Sequence, residues 1–157
     1  MPASYALDSS VLVASLIPSD NHYEMGSVVV KRLLDSDDVV YASAIVPVEV
    51  CAAVARRTRD RVSAREAGRQ IVRWIRLGRL HVLYLNATRM KRVREIGIEY
   101  YIRGMDAIVV AVAEEKKIPI VTFDQPLAER VSLIVKSITQ ENFTEKIIRP
   151  EGERESD

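Results

Sequence analysis

Short apolar runs recur along this chain, and between them lie segments whose apolar residues return every three or four positions. Tyr5-Ala6-Leu7, Val39-Val40-Tyr41-Ala42, His81-Val82-Leu83-Tyr84-Leu85, Ile118-Pro119-Ile120-Val121-Thr122-Phe123 and Leu133-Ile134-Val135 read as strands. Segment 22–34 carries Met25, Val28, Val29 and Leu33 on one helical face. Pro47 suits the first turn of the next helix, with Glu49 in that same turn. Ser63-Ala64-Arg65-Glu66 matches a capping box, so a further helix is expected from Ser63. Asn86 caps a helix reaching about Tyr101, and others follow at 105–117 and 126–130. The run Val11 to Ile17 is either a continued strand or a buried helix, which periodicity does not separate. Strands that alternate with helices predict a parallel sheet covered on both faces, a three-layer α/β/α domain.

The 157 residues suit one domain, expected over 1–149, with the polar and acidic 150–157 as a frayed tail. Apolar residues reach 48%, enough for a core. No apolar run approaches the roughly 18 residues of a membrane helix, and Met1-Pro2-Ala3-Ser4 lacks the basic start of a secretory signal. The single Cys51 rules out an internal disulfide and suits a reducing, cytoplasmic setting. Two histidines leave little material for a His-rich zinc site.

The formal charge of +1 hides an asymmetry. Between Arg56 and Arg94 thirteen basic residues face two acids, whereas the rest of the chain has ten basic residues against twenty acids. Such a division points to a polyanionic partner. Arg65, Arg69, Arg73 and Arg76 recur at helical spacing as one ridge. That ridge reads either as a surface for RNA phosphates or as a solvated face or interface to an acidic protein segment.

Four acids occupy unusual positions. Asp8 and Asp124 end apolar strands, and Glu49 and Asp106 open apolar helices. In an open parallel sheet, ligands bind beyond the carboxyl ends of the strands, where helix N-termini also converge. The four are therefore expected to meet at one edge. Each acid alone has a plainer reading, as a dipole partner or a cap. Together they are better read as a cation site, because converging carboxylates stay ionised only around positive charge. Mg²⁺ suits such a site, since it takes oxygen ligands, keeps several waters and bridges to phosphate.

These acids stand in segments that resemble PIN-domain ribonucleases, in particular the VapC toxins of prokaryotic toxin–antitoxin pairs. The matching stretches are Tyr5-Ala6-Leu7-Asp8-Ser9-Ser10-Val11-Leu12-Val13, Ile45-Val46-Pro47-Val48-Glu49-Val50, Arg103-Gly104-Met105-Asp106-Ala107-Ile108 and Val121-Thr122-Phe123-Asp124. The likeness runs from about Ala3 to Val135. It implies an endoribonuclease that binds Mg²⁺ or Mn²⁺ through Asp8, Glu49, Asp106 and Asp124, with Asp8 and Asp106 foremost as direct ligands. It implies supporting hydroxyls at Thr122 and, more weakly, Ser10. It further implies a homodimer neutralised by a small antitoxin. The arginine ridge is not assigned by this resemblance. A non-catalytic RNA- or protein-binding module, and a nuclease of RNA processing outside any toxin pair, are the alternatives.

Other chemistry-bearing residues have bland readings. Cys51 sits among small apolar neighbours as a core residue, His22 as a capping or solvated side chain, His81 as structural, and Trp74 as core or dimer interface. No nucleophile elbow, phosphate-binding glycine loop or paired CxxC is present.

Overall fold

The computed structural model describes residues 2–148. The expected tail at 150–157 and the exact domain end lie outside these residues. Five parallel strands form one sheet: β1 (Ser4–Leu7), β2 (Val39–Ser43), β3 (His81–Leu83), β4 (Ile120–Val121) and β5 (Ser137–Ile138), in the order β3-β2-β1-β4-β5. Seven α-helices connect them: α1 (Ser9–Leu16), α2 (Tyr23–Asp35), α3 (Ile45–Thr58), α4 (Arg61–Arg76), α5 (Ala87–Tyr100), α6 (Gly104–Lys116) and α7 (Gln125–Arg130). A single π-type turn at Thr144–Ile148 follows β5. The expected three-layer α/β/α architecture is present. Among the described residues, no helix is long and apolar enough to cross a membrane.

The strand order places the site. The chain steps outward from β1 to β2 and β3, then returns to lay β4 against the other side of β1. Right-handed crossovers send helices to opposite faces when the stepping direction reverses, so the α5–α6 return covers the face away from α1 to α4. The crevice of such a sheet opens where the direction reverses, here beyond the ends of β1 and β4. Leu7 pairs with Val121, and the Asp8 amide donates to the Val121 carbonyl at 3.0 Å, so Asp8 and Thr122 leave the sheet side by side.

The core is aliphatic. Leu7, Leu12, Ile17, Leu33, Ile71, Ile96, Val110 and Ile120 are almost wholly buried, each worth about 1.5–3 kcal/mol against an exposed position. The ambiguous run after Asp8 is the helix α1, whose Val11, Leu12, Val13 and Ala14 are all buried, which explains its lack of an apolar stripe. Gly26 of α2 permits this packing. A Cβ there would lie 3.0 Å from the Ser15 amide nitrogen and from the Ala14 Cβ, so only glycine lets α2 approach α1 so closely.

Three local expectations need correction. The helix α4 starts at Arg61, not Ser63, because the Asp60 carboxylate accepts from the Val62 and Ser63 amides and caps it earlier. Glu49 is the fifth residue of α3, in its second turn rather than its first, because the helix begins at Ile45 ahead of Pro47. The last strand is β5 at Ser137–Ile138, while Leu133 sits 90% exposed in the turn before it. The 133–135 run is apolar, yet pairing with β4 begins only where Ser137 meets Ile120. Asn86 does cap α5, through the Arg89 amide at 2.9 Å.

Candidate active site

Asp8 is the most enclosed of the four acids, 6% exposed at the carboxyl end of β1. It occupies the N-cap position of α1 but makes no side-chain cap. Its Oδ2 instead accepts from the Ser10 hydroxyl at 2.6 Å and the Thr122 hydroxyl at 2.8 Å. Those hydroxyls are themselves held. Ser10 Oγ accepts from the Phe123 amide and Thr122 Oγ1 from the Asp124 amide, both at 3.0 Å. The two hydroxyl oxygens stand 3.4 Å apart, but each has already given its hydrogen to Asp8. Residues 112 positions apart in sequence therefore aim at one carboxylate oxygen.

The other acids gather around an arginine. Asp106, in the first turn of α6, takes a forked pair of bonds from Arg103, at 2.8 Å from Nε and 3.2 Å from Nη2. The same Nη2 lies 3.5 Å from Asp124 Oδ2. Asp124 also caps α7 through its Oδ1 and the Leu127 amide, so the plain capping reading holds for this residue as well. Glu49 is partly buried, and Ser9, Asp8, Asp106 and Arg103 all act on its carboxyl. Asp8, Glu49 and Asp106 thus act on one another's charge, and Arg103 links Asp106 to Asp124.

The electrostatics have one sign. Burial pushes the Asp8 carboxyl above its ordinary range; the Ser10 and Thr122 hydroxyls pull it back, and the Asp106 charge pushes it up again. Burial also raises Glu49, opposed by the Ser9 bond and Arg103, and reinforced by the charges of Asp8 and Asp106. Burial thus disfavours the charged form of both acids, and a cation brought near them would favour it. Among the described residues, no three acids, histidines or cysteines stand ready to share an ion. The donor set still fits Mg²⁺ or Mn²⁺, because such an ion needs only one or two carboxylates with water completing its shell.

A sequence model of the PIN domain matches residues 5–132, which is most of the chain. The chain belongs to the PIN-domain family. Solved PIN-type structures share its fold. VapC20 of Mycobacterium tuberculosis, described as a Sarcin-Ricin loop cleaving toxin, is 25% identical with a TM-score of 0.63, over 81% of this chain and 94% of that one. VapBC2 of Rickettsia felis, bound to a DNA fragment from the promoter of that pair, is 17% identical with a TM-score of 0.60, over 87% and 98%. FitAcB of Neisseria gonorrhoeae is 20% identical with a TM-score of 0.61, over 87% and 96%. Among curated proteins, none matches the chain.

Within this PIN domain the basic middle segment is divided. Arg89 forks onto Glu115 and Arg92 onto Glu114, which ties α5 to α6. Arg57 pairs with Asp20 at 2.6 Å. The ridge residues Arg65, Arg69, Arg73 and Arg76 are exposed on α4, and among the described residues Arg69 pairs only with Glu66 of its own helix. Arg69, Arg73 and Arg76 rim an apolar groove of about 1290 Å³ floored by Val48, Cys51, Ile71 and Val72, between α3 and α4. Among the described residues, none of the four forms an ion pair with Asp8, Glu49, Asp106 or Asp124. The basic residue paired with these acids is Arg103, to which the sequence pattern assigns no role. Its signal was its place three residues before Asp106, the spacing of a helix-turn ion pair. Ser9 was missed too, since a serine at a helix start reads as ordinary capping material. Of the bland readings, His22 packs its ring 5.4 Å from that of Phe123, and Trp74 is partly buried against the core.

Proposed function

We propose that the protein is a divalent-metal-dependent endoribonuclease that hydrolyses RNA phosphodiester bonds, acting as the toxin of a cytoplasmic toxin–antitoxin pair. The observation that carries this reading is the Asp8 carboxylate, buried with two hydroxyl donors, no basic partner among the described residues, and the Asp106 charge acting on it. A structural acid would be paired; an acid kept short of positive charge at a sheet's crevice is suited to receiving it.

In this reading Asp8 and Asp106 are the direct ligands of Mg²⁺ or Mn²⁺, with Glu49 and Asp124 completing the acidic rim. The ion supplies Lewis acidity at the phosphate and a more acidic water. Ser10 and Thr122 fix the rotamer of Asp8, so the ligand does not reorganise as the ion enters. Membership of the PIN family supports a nuclease. Likeness to a toxin that cleaves the Sarcin-Ricin loop supports RNA as substrate, and likeness to VapBC2 and FitAcB supports a small antitoxin as partner. A homodimer accords with the same family reading.

Incubation of the purified protein with structured RNA tests the proposal. Cleavage is expected with Mg²⁺ or Mn²⁺, mapped to defined nucleotides, and lost with EDTA. Equal cleavage in EDTA, or none with either ion, would refute it. The α4 ridge is proposed to hold RNA phosphates. Replacing Arg65, Arg69 and Arg73 together by glutamine is then expected to weaken RNA binding and reduce the slope of log affinity against log salt by about 2. An unchanged slope would return the ridge to a solvated face.

A further inference from the structure

Arg103 stands where the acids of the site need positive charge. It opens α6 as its N-cap residue in extended conformation, which sends its side chain back over the first turn. From there its guanidinium forks onto Asp106 and reaches Asp124, and its charge acts on Glu49. The pairing is strong in geometry but open to water, since the Arg103 side chain is 76% exposed and Asp106 only 17%. An arginine this exposed is held by its partners alone and leaves without disturbing the core. Arg130 provides a contrast. It lines the same recess, yet its Nη1 donates to the Tyr101 carbonyl at 2.7 Å and makes no ion pair with Asp106 or Asp124 among the described residues.

We infer that Arg103 is a resident counter-cation of the active site, which holds Asp106 and Asp124 together in the metal-free protein and must be displaced before a divalent ion engages Asp106. This inference rests on the metal-dependent reading above. Its physical reason is the fork: a guanidinium bound sideways to Asp106 engages both of the carboxylate's oxygens, so an ion reaches them only as Arg103 gives way. Displacement costs the Arg103 pairing, so the residue lowers the affinity for the ion. It also spares the metal-free protein from unscreened repulsion between Asp106 and Asp124.

Calorimetric titration of EDTA-stripped protein with Mn²⁺ tests this without reference to turnover. Arg103→Gln is expected to bind Mn²⁺ about fivefold more tightly than the parent, the scale of an exposed but bidentate ion pair. Arg130→Gln removes the same charge from the same recess and is expected to change affinity by less than about twofold, because its effect is only a screened field. Arg103→Lys, which keeps the charge but loses the fork, is expected to fall between parent and glutamine. In the parent, the Arg103 Nε–H resonance is expected to shift on saturation with Mg²⁺, and Asp106→Asn is expected to shift it similarly without metal. Equal tightening in the Arg103→Gln and Arg130→Gln proteins, or none in Arg103→Gln, would overturn the inference and leave the metal reading standing. Failure of the parent and both glutamine variants to bind Mn²⁺ would overturn both.

Discussion

Replacing Asp8 with asparagine is expected to reduce RNA cleavage by about 10²-fold or more while making the metal-free protein more stable. The two effects have one cause. Asp8 is buried, it is held by the Ser10 and Thr122 hydroxyls and by the Ser9 backbone, and the charge acting on it is that of another acid, Asp106. Ionised Asp8 therefore costs folding free energy, which the fold accepts for the sake of the site. An asparagine with its oxygen at the Oδ2 position keeps both hydroxyl bonds and removes the charge. The gain is expected to be about 1 kcal/mol, a common size when a functional but destabilising group is neutralised. Thermal unfolding in EDTA reads the stability, and a nucleotide-resolved cleavage assay in Mg²⁺ reads the activity. A variant less stable than the parent would show that the Asp8 charge is structurally compensated. Cleavage within a few-fold of the parent would remove Asp8 from the reaction.

Thr122→Val is expected to act in the opposite sense on stability and the same sense on activity. The two side chains have nearly the same shape, so the change is chemical. Thr122 Oγ1 donates to Asp8 and accepts from the Asp124 amide, and the residue is fully buried. Valine deletes the donor and leaves that amide without its partner, at a cost of about 1–3 kcal/mol. Asp8 is then steered by Ser10 alone. Loss of such an orienting partner is expected to lower activity or metal affinity by about 10–100-fold. Thr122→Ser restores the hydroxyl and is expected to recover most of both. Chemical denaturation and Mn²⁺ titration of the three proteins separate the effects. A valine variant that binds Mn²⁺ and cleaves like the parent would show that the hydroxyl only fills space.

Legibility in the sequence followed the range of the interactions involved. The helix cap at Asn86 and the short helix after Asp124 were readable because each depends on side chains within a few residues. The same local logic misled at Ser63. Ser63 matches the capping box, but Asp60 presents a carboxylate to the Val62 and Ser63 amides and starts the helix before that box is reached. It misled again at Leu133, where an apolar triplet looks like a strand but has no neighbour to pair with. Arg103 escaped notice because an arginine beside an acid at helix spacing is common on surfaces. Only its simultaneous approach to Asp124, from a different element, marks it as part of the site.

The sequence by itself determined that strands alternate with helices, that the sheet is parallel, and that Asp8 and Asp124 follow strands while Asp106 falls at a helix start. These are consequences of apolar periodicity and of where a chain can turn, and they need no knowledge of distant contacts. Only the tertiary structure decided that β4 returns to lie against β1 rather than beyond β3. That choice brings Thr122 to Asp8 and, with α6, Asp106 and Arg103 to Asp124. It depends on how the α5–α6 pair crosses the sheet, a property of packing between segments far apart in the chain. Burial then turned Asp8 from an ordinary helix-start acid into a carboxylate in need of a cation, because desolvation exists only once the sheet and its helices have closed around it.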